Sequence, residues 1–219
     1  MYKFNKLVCL LLFVVLFGFL LCGCGITLNK ETISNEVNNV EITNTSKSLT
    51  DNQAKIIFKD IHELILSTYS SETYKLDNFA IEFENEKNEE NKVLVDVNVD
   101  FDMTLIRHPE NSPLIKGMKK ALSEINNDKE KEIALKTIDG FLKEIIPEYN
   151  KTNRNMFNLR MELEDGSKSN LKYKLFYLLE NAGQVAMHPA KEYFEENFKE
   201  DANEKEKMGF DLVKEELTQ

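Results

Sequence analysis

From Val93 to Met103 every second residue is apolar: Val93, Val95, Val97, Val99, Phe101 and Met103. Between them stand Leu94, Asp96, Asn98, Asp100 and Asp102. A period of two with one apolar and one polar side predicts a strand buried on one face and wet on the other. Shorter runs of the same kind predict three more strands. One passes through Phe79, Ile81 and Phe83, one through Phe157, Leu159, Met161 and Leu163, and one through Leu171, Tyr173, Leu175 and Tyr177. Asp165-Gly166 supplies the turn between the last two.

Elsewhere the apolar positions follow the helical period. Thr50 and Gln53 have the spacing of a capping box, with Leu49 placed for a hydrophobic staple. Ile57, Ile61, Leu64, Ile65 and Tyr69 then line one side of a helix. Ser112-Pro113 predicts a second start, a good cap followed by proline at the first helical position. Leu114, Ile115, Met118, Leu122 and Ile125 follow it inward. A third helix runs from about residue 130 to Tyr149 through Ile138, Phe141, Ile145 and Ile146, with Pro147 near its end. After His188-Pro189 comes a charged helical region carrying Tyr193, Phe194 and Phe198. Residues 199–219 read as an amphipathic helix that docks on the domain or on a partner, with Gly209 arguing against an unbroken one.

Two stretches align at a separation of eighty positions. Ile61-x3-Ile65-Leu66-x2-Tyr69 matches Phe141-x3-Ile145-Ile146-x2-Tyr149, and His108-Pro109 matches His188-Pro189. The order helix–strand–strand–helix thus repeats, over 51–127 and 128–205. The expected fold is α+β: an antiparallel, mostly four-stranded sheet with helices on one face. A cystatin-like or NTF2-like arrangement has a similar mix, as a fold-level analogy that carries no function.

The N-terminus follows a different rule. Lys3 and Lys6 precede an apolar run over 7–21, and Leu21-Cys22-Gly23-Cys24 closes it. A positive start, an apolar run shorter than a membrane span and a small residue before the cut form a secretory signal. Gly23-Cys24 resembles the lipobox of bacterial lipoproteins. That resemblance covers residues 1–24 and implies cleavage between Gly23 and Cys24, with a diacylglyceryl group on the Cys24 thiol. Cys22 departs from the commonest residue at its position. Residues 25–50, rich in Asn, Thr and Ser, are expected to be a flexible tether, and 51–219 the globular domain.

Charge narrows the function. Removal of residues 1–23 takes Lys3 and Lys6 from 28 basic residues and leaves all 38 acidic ones, for a net charge of −12. Such a chain is a poor partner for nucleic acid or anionic lipid. The expected membrane link is therefore the lipid, whose two acyl chains anchor stably. The three cysteines are Cys9, Cys22 and Cys24, so none remains for a disulfide or thiolate site within the domain.

Candidate chemistry is sparse. Asp96-Val-Asn98-Val-Asp100-Phe-Asp102 begins like a calcium loop, but the glycine position holds Phe101 and the bidentate glutamate position Arg107. No HExxH follows His62, and there is no GxSxG, Walker or GxGxxG motif. The two His-Pro pairs suit strand ends and helix starts. No catalytic residue, metal ligand or cofactor is nominated. The one surface that stands out is the polar strand face carrying Asp96, Asp100, Asp102, Glu162 and Glu164, a candidate binding face for a basic envelope protein. The reading is a lipid-anchored, non-enzymatic interaction module on the outer side of the cell membrane. An extracytoplasmic hydrolase built on carboxylates and a histidine, or a small solute-binding lipoprotein, are the alternatives.

Overall fold

The computed structural model describes residues 33–35, 40–164, 171–181 and 183–218. The signal and Cys24 lie outside them. The chain is α+β, as expected, but its sheet is larger than four strands. Among the described residues seven strands lie side by side in chain order: β1 (Ile33–Asn35), β2 (Val40–Asn44), β3 (Tyr74–Glu89), β4 (Lys92–Leu105), β5 (Thr152–Glu164), β6 (Tyr173–Asn181) and β7 (Gln184–Pro189). The described residues also form five helices: α1 (Asp51–Thr68), α2 (Pro113–Ser123), α3 (Asp128–Ile145), α4 (Ala190–Asn197) and α5 (Ala202–Glu216). Short 3-10 turns cover Pro109–Asn111 and Ile146–Glu148.

The expected tether is corrected by β1 and β2. Residues 40–44 pair parallel with β3, Ile42 opposite Ile81, and Ile42 is buried. Parallel neighbours need a long crossover, and α1 supplies it. This partner is far away in sequence, and a short β-branched segment between asparagines and threonines gives no local sign of it. The other extra strand, β7, forms a hairpin with β6, Asn181 opposite Gln184. Its side chains lack any alternation of apolar and polar positions.

The described residues divide into two compact units, interleaved along the chain. The first takes residues up to 58, 77–102 and 154–190, and the second takes 59–76, 103–153 and 191 onward. The boundaries do not fall at 127/128, where the two repeats would meet. Elements α1, β3, β4 and β5 each have residues in both units.

In the first unit one face of the sheet is buried. Val95, Val97, Val99 and Phe101 of β4, Phe79, Ile81 and Phe83 of β3, and Leu159, Met161 and Leu163 of β5 point into it. Ala54 and Ile57 of α1 are buried in the same unit. Across four adjacent strands runs a ladder of rings: Phe79 to Phe101 at 5.3 Å, Phe101 to Phe157 at 5.4 Å, and Phe157 to Tyr177 at 6.0 Å.

The expected capping box opens α1. The Thr50 N–H donates to Gln53 Oε1 at 2.9 Å, and the Gln53 N–H to Thr50 Oγ1 at 3.3 Å. The loop before it is pinned by one carboxylate. Glu86 of β3 accepts the Ser46 hydroxyl at 2.8 Å, the Ser48 N–H at 2.9 Å and the Ser48 hydroxyl at 2.8 Å. Partial burial pushes its pKa up, but these hydrogen bonds outweigh burial and hold the carboxyl below the ordinary glutamate value. A depressed folded pKa gives stability that is full above the unfolded value and is lost as pH falls through the folded one. The expected result is that Glu86→Gln lowers the unfolding free energy from urea denaturation at neutral pH by about 1–2 kcal/mol. The gap should close in acid, and a gap independent of pH would contradict this role.

The second unit is built on helices. Ser112 caps α2 as expected, its Oγ accepting the Ile115 N–H at 3.3 Å. Asn127 and Asp201 cap α3 and α5 in the same way. Ile115, Met118, Ala121, Ala134, Ile138 and Val213 form the core of α2, α3 and α5. The C-terminal segment therefore docks on the domain. Gly209 does not interrupt it: α5 is continuous from Ala202 to Glu216. Its glycine is there because α2 crosses at that point. A Cβ on Gly209 would sit 2.0 Å from the Leu114 carbonyl oxygen, and one on Gly117 would sit 1.8 Å from the Glu206 carbonyl oxygen. Each helix thus presents a glycine to the other's backbone.

Candidate binding surface

The alternation that buries one side of β3, β4 and β5 puts the sequence-nominated acids on the other. On that outer face Asp96, Asp100 and Asp102 stand in one row of β4 and Glu162 in one row of β5, with Glu164 at its end. The structure brings cations to them. Arg160 reaches Asp96 Oδ1 with Nε and Nη2, both at 2.8 Å. Asp102 accepts Asn78 Nδ2 at 2.7 Å and Arg154 Nη1 at 3.3 Å. Glu162 takes Lys92 Nζ at 2.7 Å, and Glu164 takes Lys172 at 3.8 Å. Asn98 donates to Glu84 at 2.6 Å. The Asn78 hydrogen bond, against some burial and with help from Arg154, holds the Asp102 carboxyl below its usual range.

These are cross-strand pairs, each contributing roughly 0.2–1 kcal/mol. Their consequence for recognition is larger than their energy. A basic partner at Asp96, Asp102 or Glu162 would have to displace Arg160, Arg154 or Lys92, so each new ion pair replaces an old one. The signal missed in the sequence was cross-strand register. Arg160 follows Asp96 by 64 positions, and no local pattern couples them.

Toward β6 and β7 the same outer face changes character. Arg160 lies opposite Phe176 and Leu178 opposite Met187, so Phe176, Leu178 and Met187 share the Arg160 side. Glu180 lies opposite Val185, which places Val185 there too. Met156, four residues before Arg160 on β5, has the same parity. Met156, Val185 and Met187 are 42, 54 and 37% exposed, while Phe176 and Leu178 are half-buried. Exposed single apolar residues are ordinary, and here several of them share the outer face with Glu180, which lies in the row of Val185. Methionines make such a surface adaptable.

The second unit offers less. A hollow of about 460 Å³ is lined by Lys120, Glu124, Asn203, Glu206, Lys207 and Phe210. Of its lining charges Lys120 pairs with Glu206 at 3.6 Å, and Glu124 pairs with Lys214, outside the lining, at 3.4 Å. Arg107 holds Glu200 at 3.7 Å, and Glu200 also accepts the Thr73 hydroxyl at 3.2 Å and faces Lys205 at 3.3 Å. Burial, and then the Glu200 charge, push the Tyr74 phenol above its ordinary value, with Arg107 opposing. These groups hold loops together around α5.

The histidines occupy separate local settings. His62 on α1 has a pKa lowered by burial, with Glu63 opposing. His108 caps the 3-10 turn, its Nδ1 accepting the Glu110 N–H at 3.4 Å, and its ring meets Tyr149 at 5.1 Å. His188 stands opposite Tyr177 on β7. Among the described residues no group of three His, Cys, Asp or Glu side chains is placed to hold a metal ion. Among them, too, no helix is long and apolar enough to cross a membrane.

The fold and this surface define the chain as an α+β protein whose sheet has a half-charged, half-apolar outer face. No family model, curated protein or solved structure matches it.

Proposed function

We propose that the protein is a lipoprotein of the cell envelope, anchored through Cys24 on the outer side of the cell membrane and acting as a non-enzymatic binding module. The observation that carries this reading is Gly23-Cys24 directly after a charged start and a short apolar run. The fold is consistent with a close tether. Strand β1 begins at Ile33, nine residues after Cys24. Nine residues span at most about 30 Å, so the sheet stays near the bilayer. The apolar end of the outer face, from Met156 to Met187, is the surface we assign to binding an envelope protein. We also read the two halves as an internal duplication, supported by the His-Pro pairs at eighty-residue spacing, with the second half carrying one strand more, β7, between β6 and α4.

Intact mass of the protein extracted from native membranes tests the anchor. The expected mass is that of residues 24–219 plus a diacylglyceryl group. With Cys24→Ala the lipid mass and the cut before residue 24 should both disappear. An unlipidated chain cut elsewhere, or one retaining residues 1–23, would overturn the reading.

A further inference from the structure

We propose that β7 is a self-association edge: two copies of the chain pair their β7 strands antiparallel, about a two-fold axis at Ala186. Among the described residues, strand β7 is the last in the sheet and pairs with β6 alone. Residues Gln184, Val185, Ala186 and Met187 are all exposed. Natural edge strands are guarded by charged side chains, lysine above all. Charged residues make up 30% of this chain, yet Gln184-Val-Ala-Met-His-Pro189 contains no Asp, Glu, Lys or Arg.

That neutrality points to the occupant. With a net charge of −12 once residues 1–23 are removed, most surfaces of two copies repel. At β7 they meet without like charges opposed. A strongly charged partner would find no complement there.

The backbone pattern agrees. Asn181 and Gln184 close a hairpin with two residues between them, so they form a hydrogen-bonded pair. Bonding then alternates, and Ala186 and His188 also turn their backbone groups toward β6. Val185 and Met187 turn theirs outward. In an antiparallel pair centred on Ala186, Val185 of one copy exchanges both main-chain hydrogen bonds with Met187 of the other, and Met187 with Val185. Their side chains meet on the outer face and join the apolar groups of the two sheets. Pro189 has no N–H and ends the ladder there. This pairing does not depend on lipid at Cys24.

The register makes the test specific. Facing Ala186 residues form a non-hydrogen-bonded pair with Cα atoms about 4.5 Å apart, within disulfide reach. Gln184 residues of the two copies would be roughly 13 Å apart. In native membranes of the full chain under mild oxidation, Ala186→Cys should give a band at twice the monomer mass. That band should be at least about tenfold stronger than from Gln184→Cys or from the unsubstituted chain. Adding Met187→Pro removes an outward N–H and no bond to β6, a change edge strands tolerate. It should reduce the band to the Gln184→Cys level with the circular dichroism unchanged.

Equal bands from positions 184 and 186, no dimer from a folded Ala186→Cys protein, or an adduct of Ala186→Cys with a different protein would each overturn the proposal. So would a dimer that survives Met187→Pro.

Discussion

Gly117→Ala and Gly209→Ala are each expected to destabilise the protein by about 3 kcal/mol, although alanine is the better helix former at both positions. Propensity alone favours alanine by roughly 1 kcal/mol. Against it stands a Cβ placed 1.8 Å from the Glu206 carbonyl oxygen at position 117, and 2.0 Å from the Leu114 oxygen at position 209. The obstructing atoms are backbone on the facing helix, so no side-chain rotation relieves the overlap. Helices α2 and α5 must move apart, and the contacts of Ile115, Met118 and Val213 loosen with them. Overpacking of this kind costs about 1–3 kcal/mol, and more where backbone must shift. The two substitutions together should cost less than their sum, because one separation of the helices accommodates both. Gly140→Ala is the internal control. Nothing lies within 4 Å of its would-be Cβ, so it should stabilise by up to about 1 kcal/mol. Urea midpoints of the three variants decide the matter. A Gly117→Ala protein as stable as the parent would mean that the helices do not cross so closely.

This crossing also shows where sequence reading stops. Gly209 was visible as a defect in a helical pattern, and Gly117 gave no sign at all. Both are explained by a contact between segments some ninety residues apart. What was legible was local: the β4 alternation, the Thr50–Gln53 capping box and the Ser112-Pro113 start. Each rests on residues within a few positions of one another. Strand β2 looks like tether along the chain because its reason for being a strand is β3, on the far side of α1. Strand β7 leaves no trace in the sequence because its side chains are almost all exposed, so burial writes no period into them.

The candidate surface divides in the same way. The row Asp96, Asp100, Asp102 was readable as one face of a strand. Its neutralisation by Arg154 and Arg160 was not, because those arginines arrive on β5 from the other side of α2 and α3. A row of acids in a sequence gives its charge but not the partners it already has. Once the pairs are counted, the binding surface we propose lies away from the carboxylates, at Met156, Leu178, Val185 and Met187, residues that look unremarkable along the chain.

The largest loss from one side chain is expected from Phe101→Ala, about 3–5 kcal/mol. Phe101 is fully buried on β4 and lies between Phe79 and Phe157 in the ring ladder. Removing it subtracts the burial of a large apolar side chain, leaves a cavity, and takes away both ring contacts, each contributing about 0.5–1.5 kcal/mol. The neighbours are held on paired strands and cannot close the gap. Phe101→Leu keeps most of the volume and loses the ring contacts, so a cost of about 1–2 kcal/mol is expected. Phe157→Ala should fall below Phe101→Ala, because Phe157 keeps 8% of its surface in solvent. Denaturant midpoints give the ranking, and hydrogen exchange should show lost protection first in residues 77–102 and 154–164, the strands on which the ladder is built. If Phe157→Ala proved the more damaging, the centre of the core would have to be moved from β4 to β5.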